Sequence, residues 1–224
     1  MRSGSTVQYQ LVASLVERTG TGQRVEWVRP DQFEEQRGRY DDRSGWLVFK
    51  THRLTDAMRQ EFEDGGAHAV FVYRDLRDAA ASLVRKDGRD QVDVRRFVKE
   101  QLRNYRQWTS CPRVLVSRYE DMITNLDAEV RRIAAHLGIA CDAALVDSIA
   151  SEHTLDRQRR RIANADPDEL RTAGKHVFDR ATLLHTDHIQ SGFPGGWVET
   201  LTDDDLIAID ELAGTWLEDH GYTS

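Results

Sequence analysis

Cysteine is scarce in this chain of 224 residues: there are 2, Cys111 and Cys141, with no CxxC spacing, and no secretory leader is read at the start. A disulfide framework is thereby set aside, and two buried thiols in a reducing cytoplasm are expected. Long apolar runs are also missing. The longest, such as Ala69 to Tyr73, fall far short of the roughly 20 residues that cross a bilayer, so no membrane span is expected. Cations are not in excess, since 31 Lys and Arg against 38 Asp and Glu leave a net charge of -7. A protein that chiefly neutralises nucleic-acid phosphates needs a dominant basic surface, and nucleic acid is therefore not an expected partner. Neither an internal repeat nor a low-complexity linker interrupts the chain, so residues 1–224 are expected to form one domain.

What is present is an alternation. Short β-branched or aromatic runs recur at Arg24 to Val28, Trp46 to Phe49, Ala67 to Tyr73 and Val114 to Ser117, with helical patterns between or beside them. That order predicts an α/β fold with a parallel sheet covered by helices. Val7, Leu11, Val12, Leu15 and Val16 form one apolar stripe of a first helix, and Val92 to Trp108 and Ala128 to Leu137 read as two more, the latter stopped by Gly138. Thr202 followed by Asp203, Asp204 and Asp205 reads as a capped helix start rather than a metal site. Arg161 to Lys175 is polar enough to be expected as a mobile loop.

Five segments place polar chemistry at the ends of these elements. RSGST, Arg2 to Thr6, has the small residues and glycine that let backbone N–H groups approach an anion, and it opens the first helix. It lacks the spacing of a Walker A loop, so ATP chemistry is not indicated, and a plain helix start is its alternative reading. KTH, Lys50 to His52, follows a strand, where parallel sheets form their ligand crevice; an ordinary solvated strand end is the alternative. YRDLRDAAAS, Tyr73 to Ser82, puts the forked donor of Arg74 and the hydroxyl of Ser82 in reach of one phosphate, unless Arg74 and Arg77 merely form surface salt bridges with Asp75 and Asp78. SRYED, Ser117 to Asp121, offers Tyr119 as a donor or a packing group. HIQSGFPGGW, His188 to Trp197, is either a loop that closes over a nucleotide or a plain turn.

Taken together and in this order, the five segments resemble those of the PAPS-dependent sulfotransferases, PAPS being 3′-phosphoadenosine 5′-phosphosulfate. RSGST is similar to their 5′-phosphosulfate loop, KTH to their catalytic strand end, and YRDLRDAAAS to their 3′-phosphate motif. SRYED is similar to their nucleotide-pocket tyrosine segment and GFPGGW to their closing loop. The resemblance runs from Arg2 to about Thr202 and implies a three-layer P-loop-like fold with a central parallel sheet flanked by helices. It further implies sulfuryl transfer from PAPS to a hydroxyl or amine of a small-molecule or glycan acceptor, leaving PAP, with no metal.

In that reading His52 is the general base and Lys50 steadies charge on the sulfuryl group. Arg2, Ser3, Gly4, Ser5 and Thr6 hold the 5′-phosphosulfate, Arg74 and Ser82 the 3′-phosphate, and Tyr119, Gln190, Ser191 and Gly192 complete the nucleotide site. Two departures stand out: Arg2 replaces the usual lysine of the loop, and Gln190 and Ser191 replace the two cations that often precede the closing loop, for which Arg157 to Arg161 are candidate substitutes. Glu17 is an alternative base. His185 and His188 have no Cys or acidic partner at zinc-ligand spacing. A P-loop kinase of similar architecture and a non-catalytic PAP- or PAPS-binding module are the rival functions. An anion loop is normally fed by a buried strand, yet only Met1 precedes Arg2. Either a longer natural N-terminus, which we favour, or a sheet without its central strand is therefore expected. The acceptor is expected among residues 32–40 and 156–184.

Overall fold

The computed structural model describes residues 2–40, 42–173, 176–179, 182–186 and 192–222. In chain order its first half runs α1 (Ser5–Arg18), β1 (Gly22–Trp27), α2 (Phe33–Gly38), β2 (Trp46–Lys50), α3 (Asp56–Glu63), β3 (Ala69–Tyr73), α4 (Leu76–Asp87) and α5 (Val94–Thr109). There follow β4 (Val114–Arg118), α6 (Tyr119–Thr124), α7 (Leu126–Leu137), α8 (Ala143–Glu152), α9 (Leu155–Ala163), β5 (Leu170–Ala173), β6 (His176–Asp179) and α10 (Asp203–Asp219).

The four β-branched runs become the parallel strands. β1 pairs with β2 and β3 with β4, both in parallel, so each pair is joined by a crossover that carries helices. Alternation along β3 then sorts the layers. Phe71 packs with Met58, Phe62 and Trp108, whereas its neighbour Val72 joins Leu11, Leu15, Val130 and Ile149. A further cluster, around Leu76, Val98, Leu102 and Ile209, fastens α4, α5 and α10 together. The expected α/β layering is present, with the central parallel sheet seen as two separate pairs.

Helix α1 is more deeply set than its apolar stripe implies. Residues Gln8 to Val16 are all buried, including the polar Gln8, Gln10 and Ser14. Distant partners accommodate two of these: Gln10 donates to the Thr182 carbonyl at 3.0 Å and accepts from Gln158 at 2.5 Å, and Ser14 lies 3.5 Å from His153 Nε2. A helix buried on all sides is usually apolar on all sides; here partners meet the cost of desolvation for Gln10 and Ser14, while Gln8 Nε2 is buried without one.

Helix α7 ends before Gly138 as expected, and Thr202 and Asp205 form a reciprocal capping box at the start of α10. Two expectations fail. The described part of Arg161 to Lys175 is a loop only between Ala163 and Leu170, because α9 extends to Ala163 and β5, from Leu170, pairs antiparallel with β6. Cys111 is buried but Cys141 is only half-buried, and both are free thiols. Among the described residues no helix is long and apolar enough to cross a membrane.

Candidate functional site

The RSGST loop turns sharply into α1 because Gly4 adopts φ 85°. A Cβ at this position would stand 2.5 Å from Cδ2 of Tyr119, so the turn needs glycine both for its backbone and for the ring beside it. No side chain caps α1, which leaves its first-turn amides and the positive end of its dipole directed at the loop. The Ser3 hydroxyl is buried there with no hydrogen-bond partner.

Strand β2 delivers Lys50 to the same loop. Its Nζ donates to the Thr6 hydroxyl at 2.6 Å, and burial alone lowers its pKa from 10.5 to about 7. Two residues on, His52 lies edge-to-face against Trp27, with ring centroids 4.4 Å apart. The ring keeps some exposed surface but is surrounded mostly by protein, and that burial, with smaller contributions from nearby cations including Lys50, pushes its pKa down to about 2. His52 is therefore a neutral imidazole at pH 7, able to accept a proton but weak as a base until a neighbouring anion raises its basicity.

Strand β3 delivers Arg74 to the other side of the loop. Its guanidinium lies 4.5 Å from the Tyr119 ring centroid, 3.3 Å from Asp78, and donates to the Phe193 carbonyl at 3.1 Å. Its Nε is buried with no hydrogen-bond partner. Tyr119 itself is buried and donates to the Gly192 carbonyl at 2.7 Å, while its ring abuts Gly4 and lies under Arg74. Three segments remote in sequence, Arg2–Thr6, Tyr73–Ser82 and Gly192–Trp197, therefore meet on one tyrosine ring.

A family model described as the sulfotransferase domain matches residues 2–221. The chain belongs to the sulfotransferase family. Its fold is similar to that of mouse sulfotransferase SULT7A1 complexed with PAP, with TM-score 0.70, 15% identity and coverage of 99% of this chain and 86% of that one. Retinol dehydratase in complex with androsterone and inactive cofactor PAP aligns with TM-score 0.61 at 16% identity, covering 98% of this chain and 79% of that one. At such identities the likeness is one of fold. No curated protein sequence matches.

Within this sulfotransferase-family domain, the expected site residues fall into three groups. Ser3, Gly4, Ser5, Thr6, Lys50, Arg74, Tyr119 and Gly192 are brought together by the contacts above. Arg2 and Ser82 are linked to each other, Arg2 donating to the Ser82 backbone carbonyl at 3.0 Å, so the arginine of the loop reaches the Tyr73–Ser82 segment. Gln190, Ser191 and the loop residue His188 lie outside the described residues. The alternative base Glu17 is bound to Arg24 at 2.7 Å, which lowers its pKa, and it lies 11 residues along α1 from Thr6, about 16 Å at helical rise.

The anticipated salt bridges of the Tyr73–Ser82 segment exist, but they are buried. Arg77 pairs with Asp75 at 2.8 Å and lies 4.5 Å from the Trp197 ring centroid. Asp78 also accepts from the backbone N–H groups of Gly195 at 2.9 Å and Trp197 at 3.1 Å. Asp78 thus ties the Gly192–Trp197 segment to Arg74, a contact missed because one carboxylate in a run of alternating charge carries no mark of what it faces. Arg159 of α9 was missed as an individual residue; its guanidinium lies 5.5 Å from the Phe193 ring centroid.

Proposed function

We propose that this domain moves a sulfuryl group from PAPS to a hydroxyl or amine of a small-molecule or glycan acceptor, with His52 as general base. The observation that carries the reading is the Lys50–Thr6 hydrogen bond, which fixes a buried, proton-accepting amine at the mouth of a glycine loop and beside a neutral histidine. Two features suit a nucleotide anion: the unpartnered Ser3 hydroxyl and Arg74 Nε are buried donors, and Gly4 allows the loop's turn with the Tyr119 ring packed against it. Ser3, Gly4, Ser5 and Thr6, with Arg2, hold the 5′-phosphosulfate; Arg74 and Ser82 hold the 3′-phosphate; Tyr119, Gly192, Gln190 and Ser191 complete the nucleotide site.

When bound, PAPS supplies the electrophilic sulfuryl group and leaves as PAP. His52 takes the acceptor's proton as the new bond to sulfur forms, and Lys50, charged once an anion lies beside it, stabilises the sulfuryl oxygens. Positioning by the loop and by Arg74 provides the remaining acceleration. Retinol dehydratase is solved with androsterone and with retinol, both hydroxyl compounds. The Arg-rich segment at residues 156–163 here favours a more polar acceptor. Both cysteines being free, a reducing cytoplasm is the setting we assign.

Incubation with sulfur-labelled PAPS and a panel of phenols, alcohols, amines and glycosides tests this. Label should pass to at least one class, and His52→Ala should abolish transfer while PAP binding persists. Binding without transfer to any acceptor, unaffected by His52→Ala, would leave a non-catalytic nucleotide-binding module.

A further inference from the structure

The chain that follows α10 returns to the neighbourhood of the site. It turns back at Gly221, φ 72°, and the next residue, Tyr222, is buried. The Tyr222 N–H donates to the Leu217 carbonyl at 2.8 Å, and its carbonyl accepts from Arg77 Nη2 at 3.5 Å. Its ring lies beside the Arg118 guanidinium, 4.3 Å from carbon to centroid, and its hydroxyl donates to Glu120 Oε2 at 2.7 Å. Burial first, and then that bond to a carboxylate, push the phenol's pKa up, so it stays protonated and donating at neutral and mildly alkaline pH.

What this phenol holds is a junction. The β3–β4 ladder ends on the pair Tyr73 and Arg118, and the next residue of each chain belongs to the site, Arg74 and Tyr119. Past that point the chains part, one entering α4 and the other α6. Backbone pairing therefore stops one step short of the two groups whose mutual placement matters, the Arg74 guanidinium and the Tyr119 ring, 4.5 Å apart. Glu120 spans the gap. Its Oε1 accepts from the Asp75 N–H at 3.2 Å while its Oε2 takes the Tyr222 hydroxyl, with Arg118 Nε 3.4 Å from the same oxygen. Asp75 follows Arg74 and Glu120 follows Tyr119, so one carboxylate joins the two site residues through their next neighbours. A glutamate side chain has several rotamers to lose, and a second hydrogen bond at its far oxygen selects the one that reaches Asp75.

We infer that Tyr222 is a positioning residue for the nucleotide site: through Glu120 it fixes Arg74 against Tyr119 in the arrangement that receives the 3′-phosphate. The inference rests on the assignment of Arg74 to the 3′-phosphate made above. A tyrosine that only packed α10 onto the strands would need its ring and not its hydroxyl, so Tyr222→Phe separates the two roles.

The test compares binding of PAP with that of adenosine 5′-phosphate, which lacks the 3′-phosphate, by calorimetry on the full chain well below its melting temperature. Tyr222→Phe should weaken PAP by about 10-fold, the worth of roughly one hydrogen bond to a charged group, and adenosine 5′-phosphate by less than about 2-fold. In Glu120→Gln the amide can still accept from Asp75 while donating to the phenol, so PAP should bind within about 3-fold of wild type. Glu120→Ala should bring the full loss, and Tyr222→Phe should then add nothing to it. An unchanged preference for PAP over adenosine 5′-phosphate in Tyr222→Phe overturns the inference and assigns the residue to packing, whatever the melting temperature does. Wild-type protein that binds neither nucleotide, or both equally, refutes instead the nucleotide reading beneath it, and the inference falls with that reading.

Discussion

The two sides of the site handle positive charge in opposite ways. On the β2 side, Lys50 is buried with a hydroxyl for company, and among the described residues no carboxylate pairs with it; its charge is discouraged until an anion arrives. On the β3 side, Arg74 and Arg77 are permanently charged, and each is matched by a buried carboxylate, Asp78 and Asp75. One side is switched by a proton, whereas the other is preassembled and kept neutral as a pair. A transferring group benefits from the first arrangement, since charge appears where it is needed, while a phosphate that only needs to be held benefits from the second.

The sharpest way to break the comparison is to unpair the β3 side. Asp78→Ala leaves Arg74 buried without its partner and frees the Gly195 and Trp197 amides. It should cost about 3–5 kcal/mol of stability in urea unfolding. Combining it with Arg74→Met should recover much of that loss, because replacing both members of a buried pair by apolar groups is close to neutral. Lys50→Met makes the contrasting case. It should lower sulfuryl transfer by about 100- to 1,000-fold while leaving stability unchanged or improved, since no paired charge is stranded.

Protonation sharpens the same contrast. Lys50 titrates near 7 in the folded chain against 10.5 when exposed, so between these values the unfolded state binds more protons and stability should rise with pH. Urea midpoints measured from pH 7 to 9 should show this rise, and Lys50→Met should flatten it. His52, together with His136 and His153, is lowered by burial, so stability should fall as pH drops below 6.5. PAP binding near pH 8 should draw a proton onto Lys50, seen as a calorimetric enthalpy that varies with the ionisation heat of the buffer and ceases to vary in Lys50→Met.

The contrast also explains what the sequence could reveal. KTH drew notice because the apolar run stops at Phe49, one residue short of the end of β2, and a strand end in a parallel sheet borders the ligand crevice, although alone it reads as well as a solvated strand end. RSGST alone reads equally as a plain helix start, and only its company with the four later segments, in order, made it read as an anion loop. The burial of Gln8 and Gln10 was not legible, because Gln158 and Thr182, the partners of Gln10, lie 148 and 172 residues away. The β5–β6 hairpin was also missed: four residues a side, set in a polar stretch, resemble a loop until register pairs them. Asp78 looked like one more surface acid until the fold set the closing-loop amides against it.

Arg159 is where the β3 side meets its limit. Because Asp78 and Asp75 neutralise Arg74 and Arg77, a dianionic phosphate gains little net charge from those pairs, and a further cation must come from elsewhere. Arg159 lies against the Phe193 ring, and its charge is felt at Tyr119, where it opposes the upward shift that burial imposes on the phenol. It is also partly exposed and near Asp156 at 3.6 Å, so solvent screens its contribution. Arg159→Ala should therefore weaken PAP binding by about 3- to 5-fold, the equivalent of up to roughly 1 kcal/mol, with turnover at saturating PAPS unchanged. Titration at two salt concentrations tests whether charge is the cause: the variant's deficit should shrink at the higher one, and a deficit indifferent to salt would mean that Arg159 acts by packing on Phe193.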